Sequence, residues 1–61
     1  MDKFNDYIKF LQESLDDYRE RLSRNIESKN FYDAAIDTES VAMLTWIIDD
    51  MKKFAETNNH L

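Results

Sequence analysis

Two pairs of adjacent carboxylates, Asp16-Asp17 and Asp49-Asp50, are the residues here that most resemble catalytic equipment. Carboxylates that share a proton or a metal must converge, whereas neighbours on a helix diverge by about 100°. Neither pair forms a dyad within one chain. The single histidine, His60, lies in a tail, Asn58-Asn59-His60-Leu61, that is expected to fray. A Ser/His/Asp set therefore has no fixed base, and the Glu-x-x-His of a di-metal bundle is missing. With no cysteine, a zinc site built from side chains is not expected either. The sequence points away from catalysis, metals and cofactors.

What remains is the chemistry of recognition. Tyr7 and Phe10 are aromatics off the helix seam, with Ser14 and Arg21 further along that flank and Arg24 in the arginine-rich half of the helix. Aromatics beside arginine are common among binding hot spots, which makes Tyr7, Phe10, Arg21 and Arg24 the partner-binding candidates. Arg19, Arg21, Arg24 and Lys29 could also gather into a basic end patch in an oligomer, fit for a nucleotide or a nucleic acid. The plainer reading is pairing with the helix dipole and with Asp33, Asp37 and Glu39.

Eight basic and 13 acidic residues leave a net charge of −5, which disfavours general nucleic-acid binding. That charge is also modest for a mimic of DNA, and basic residues interrupt the acids. The stretch Met1 to Phe10 is too polar for a signal peptide, and no apolar run nears the ~18 residues of a membrane span. A cytoplasmic protein without membrane contact is expected.

The elements that must position these residues are helices. Glycine and proline are both absent, so hairpin turns lack their usual residues and helices lose their main breakers. Phe4, Ile8, Leu11, Leu15, Tyr18 and Leu22 step by four and three, with Ile26 extending the stripe and Asn25 at the strict heptad position. Asp2 is a plausible N-cap. A second stripe, Ala34, Val41, Leu44, Ile48, Met51 and Ala55, follows Ser28-Lys29-Asn30, with Asn30 and Asp33 placed as a capping pair.

One continuous helix would carry Lys29, Glu39 and Asp50 into the seam, so a reversal near residues 28–31 is preferred. The expectation is an all-α, antiparallel two-helix hairpin over about 3–28 and 31–57, a single domain spanning 1–61. Facing residue numbers should add to about 59, setting Phe4 by Ala55, Ile8 by Met51, Leu11 by Ile48, Leu15 by Leu44, Tyr18 by Val41 and Ile26 near Ala34. Asp17–Arg21, Glu20–Arg24 and Asp49–Lys53 are the expected ion pairs along the helices.

The second helix has more apolar surface than one partner helix can cover. Ile36, Met43, Ile47 and Phe54 form a further stripe about 100° round from the first, flanked by Tyr32, with Trp46 toward the polar edge. A patch of several hundred Å² exceeds what a soluble monomer usually exposes. The 61-residue chain is also small enough to need support from oligomerisation. The expected cover is a second copy in a four-helix bundle, with Ile36, Met43, Trp46, Ile47 and Phe54 at the oligomer interface; a different protein is the alternative.

The segments Phe31-Tyr32-Asp33-Ala34-Ala35, Glu39, Leu44-Thr45-Trp46-Ile47-Ile48 and Asp50-Met51 resemble the second helix of small helical-hairpin accessory proteins of bacteriophages. The resemblance covers about a third of the chain. It implies an inhibitor or adaptor acting on a host protein by stoichiometric binding, and it assigns no site residues. The combined expectation is a non-enzymatic, oligomeric protein-interaction module that regulates another protein. The alternatives are a nucleotide or nucleic-acid binder using the arginine-rich end, or a purely structural subunit.

Overall fold

The computed structural model describes residues 2–59, with side chains over 3–57. Two helices, α1 (Asp2–Glu27) and α2 (Phe31–Asn59), fold back on one another as an antiparallel hairpin. The all-α hairpin expected from the apolar spacing is the fold observed. Each helix boundary falls within two residues of the expected one. α1 begins at Asp2 itself; the capping expected of its side chain lies outside the described residues, as do His60 and Leu61 of the expected frayed tail. No described helix is long and apolar enough to cross a membrane.

The reversal is achieved without glycine. Asn30 N–H donates to the Asn25 carbonyl at 2.8 Å and Lys29 N–H to that of Ile26 at 3.0 Å, the paired bonds of a Schellman ending. That ending needs a left-handed residue, and Lys29 supplies it with φ of 61°. Asn30 then starts the next helix. Its carbonyl accepts from Ala34 N–H at 3.0 Å, and its side chain is joined to Asp33 by a 2.7 Å Nδ2–Oδ2 bond. A longer contact of 3.5 Å from Asp33 N–H to Asn30 Oδ1 completes the expected capping pair.

The core is narrow. Ile8, Leu15 and Ile48 are its buried centre, with Phe4, Leu11, Val41, Leu44 and Met51 half-buried against them. Ala34 and Ala55 are buried near the two ends of α2. Facing pairs such as Phe4 with Phe54 and Arg21 with Asp37 fit the expected register. One seam assignment is corrected: Ile26 is 52% exposed, and Asn25 takes the inward place. Asn25 lies three residues after Leu22 and continues the four-three spacing, which Ile26 overshoots.

A non-glycine residue in the left-handed region costs about 1–2 kcal/mol, part of which glycine returns as extra entropy of the unfolded chain. Lys29→Gly should therefore stabilise the hairpin by roughly 0.5–1 kcal/mol, read as a higher urea midpoint at unchanged slope. An unchanged or lower midpoint would argue against the strain assigned to Lys29.

Candidate functional site: one apolar face of the hairpin

Angles around the helices sort the exposed side chains onto two broad faces. Counting about 100° per residue from Leu15, the α1 residues Gln12, Asp16 and Arg19 lie to one side, and from Ile48, the α2 residues Thr45, Asp49 and Lys52 lie to the same side. These six, with Leu15 and Ile48 at its floor, line a shallow groove of about 390 Å³. This face is polar.

The opposite face collects most of the recognition candidates of both helices, but not Arg24, which lies about 180° round α1 from Leu15. Tyr7, Phe10, Ser14 and Arg21 are about 80–140° round α1 from Leu15, in the other sense. Ile36, Met43, Ile47 and Phe54 are about 100–140° round α2 from Ile48, again in that sense. Two groups that look separate along the chain thus form one surface. Tyr7 (56% exposed), Phe10 (59%), Met43 (60%) and Phe54 (57%) keep most of their area open to solvent, while Ile47 is half-buried. The Phe4 and Phe54 rings pack at 5.6 Å and those of Tyr7 and Phe10 at 6.2 Å, within the range of tilted aromatic pairs. The aromatics thus meet in pairs at one end of the face.

Trp46 does not belong to it. Two residues before Ile48, it points about 160° round α2, on the helix's outer edge with Tyr32, Glu39 and Asp50. It is 65% exposed. Sequence spacing had placed it toward the polar margin, and the structure sets it on the back of the helix.

The arginine-rich end is largely committed within the chain. Arg21 does not meet Asp17; it reaches across to Asp37, with Nε and Nη2 at 3.2 and 3.1 Å from Oδ1. Its guanidinium also sits 5.4 Å from the centre of the Tyr18 ring. Arg24 pairs with Glu20 at 3.1 Å, as expected, and Arg19 lies 3.9 Å from Asp16. Asp49 and Lys53 do not pair; Asp49 faces the polar groove instead. Among the described residues, no cluster of three carboxylate, histidine or cysteine side chains is placed to hold a metal.

Asp37 is one of the acids that sequence reasoning offered as pairing partners for the basic end, and its burial is what that reasoning missed. Its carboxylate is fully buried, and Asn25 Nδ2 donates to Oδ2 at 2.6 Å. Both oxygens are thereby satisfied across the helix interface. The signal was present in the spacing: Asp37 fills the gap between Ala34 and Val41 in the α2 seam, and Asn25 holds the matching seam position of α1.

Comparison with protein-family models, curated proteins and solved structures finds no match for this chain. The two faces and the buried network are consequently read from their own chemistry.

Removing one partner of a buried charge costs more than removing the charge itself. Arg21→Met leaves Asp37 buried with Asn25 alone, and should cost about 2–3 kcal/mol. Asp37→Leu buries no charge and lets the half-exposed Arg21 side chain hydrate, so its cost should be clearly smaller. Urea denaturation of the two variants checks the order; an equal or reversed ranking contradicts it.

Proposed function

We propose that the chain is a non-enzymatic protein-interaction module that self-associates through the apolar face and regulates a second protein by binding it. The observation that carries this reading is the convergence of Tyr7, Phe10, Ile36, Met43, Ile47 and Phe54 on one side of the hairpin. Bulky apolar groups on both helices of one face form a patch larger than soluble monomers usually leave open. The narrow core supports the same conclusion, since the five apolar side chains buried among the described residues, two of them alanine, offer little stability to a chain of this size.

Self-association leaves a second surface free. The outer edge of α2, with Trp46 and Tyr32 on the same side as Glu39 and Asp50, points away from α1. A different protein docks there in this reading, and tryptophan and tyrosine are the side chains that most often anchor such contacts. A stoichiometric regulator acting in the cytoplasm, of the kind that small phage accessory hairpins suggest, is the role this arrangement serves. The arginine-rich end supports a nucleotide or nucleic-acid site less well, because Arg21 is already bound to a buried carboxylate.

Sedimentation equilibrium at micromolar concentration should show a dimer, and Ile47→Glu should shift it to monomer by placing a charge at the centre of the face. Trp46→Ala should leave the assembly unchanged. A wild-type chain that stays monomeric throughout would end the self-association reading.

A further inference from the structure

Building on that self-association, we infer that the apolar face is covered by a second copy turned end for end, with the two-fold axis crossing the face at the level of Ser14 and Thr45. An interface between identical copies related by a two-fold axis must be its own complement. The spacing on α2 meets that condition. Ile36 and Phe54 stand nine residues on either side of Thr45, and Met43 and Ile47 stand two on either side. End-for-end rotation lays Ile36 against the second copy's Phe54 and Met43 against its Ile47.

The spacing on α1 has its own centre, at Ser14. Tyr7 and Arg21 are seven residues to either side, and Phe10 and Tyr18 are four. The rotation sets the Arg21 guanidinium by the second copy's Tyr7, a contact of the type it already makes with Tyr18. Ser14 itself is small and sits on the axis, where the two backbones must come closest.

The two centres coincide in space. Ten residues along α1 from the Phe4–Phe54 contact lead to Ser14, and ten residues back along α2 lead to Leu44, next to Thr45. A difference of one residue is about 1.5 Å along the helix axis. One axis therefore serves both helices, although nothing in the hairpin's own packing requires it.

Size agrees as well. The Cα envelope measures 49 × 15 × 11 Å, so the broad face offers roughly 700 Å², close to the ~800 Å² per partner of a standard stable interface. The other two-fold arrangement, with both turns at the same end, stacks α1 on α2 of the second copy. It places Arg21 about level with Ile36, setting a charge against an apolar group, while Phe10 falls about level with Ile47.

The chain has no cysteine, so Ser28→Cys in the turn carries a single nitroxide label. Pulsed dipolar spectroscopy, run beside sedimentation of the same labelled protein, reads the geometry. The end-for-end dimer puts the labels at opposite ends of a 49 Å body, on the order of 40 Å apart. Turns at the same end would bring them within about 20 Å, given interaxial distances near 8–10 Å. A dimer with the long distance supports the inference. A dimer with the short distance overturns the geometry and leaves self-association standing, and a monomer without dipolar coupling overturns both.

Discussion

The Asp37 carboxylate, fully buried between two helices and held by Arg21 and Asn25, is the interaction on which the rest of the hairpin depends. Apolar seams spaced by four and three tolerate sliding, since an isoleucine packs nearly as well one heptad away. A buried charge does not. Slipping α2 by a heptad would take Asp37 out of reach of Arg21 and leave its carboxylate without a cation, at a cost of several kcal/mol if it stayed buried. The three-residue turn and the polar pair together hold the register, and the apolar residues supply attraction without much direction. The register in turn decides which aromatic lies over which, and so the composition of the outer faces.

A two-helix hairpin is half of a packing problem. Each helix can bury one stripe against the other, and here that stripe contains only a few large side chains. The remaining apolar area of α2 falls beside Tyr7 and Phe10 of α1 rather than being scattered. Sequence order conceals this, because the two groups stand far apart along the chain and belong to different helices. Antiparallel pairing aligns the same angular sense of both helices on one side, which turns two flanks into one face.

The helices and their pairing were legible because apolar periodicity is a local signal that survives without neighbours. Asn30 and Asp33 were readable for the same reason, as capping chemistry acts within one turn. Ile26 was misplaced because hydrophobicity was allowed to outweigh phase: Asn25 occupied the seam position, and polarity there pointed to a partner across the interface. Asp37 raised the same question from the other helix. Pairing the two requires knowing that they come within reach of one another across the interface, about a turn apart in level, which is a property of the folded register. Arg21 illustrates the general difficulty, since its neighbour at i−4 is an acid and only tertiary geometry shows that it prefers a different one. Trp46 differs again, because its angle was fixed by the sequence while its company was not.

The turn between the helices has no spare residue. Lys29 completes the ending of α1, and Asn30 takes part in both that ending and the start of α2. Adding or deleting one residue would have to break one of these two motifs, or rotate α2 by about 100° about its own axis. Such a rotation would carry Asp37 out of reach of Arg21 and swing Ile36, Met43 and Phe54 away from the side that Tyr7 and Phe10 occupy. The length of three residues therefore acts as a phase setting between the helices, and natural variation in this chain should accumulate by substitution in the turn and not by change of its length.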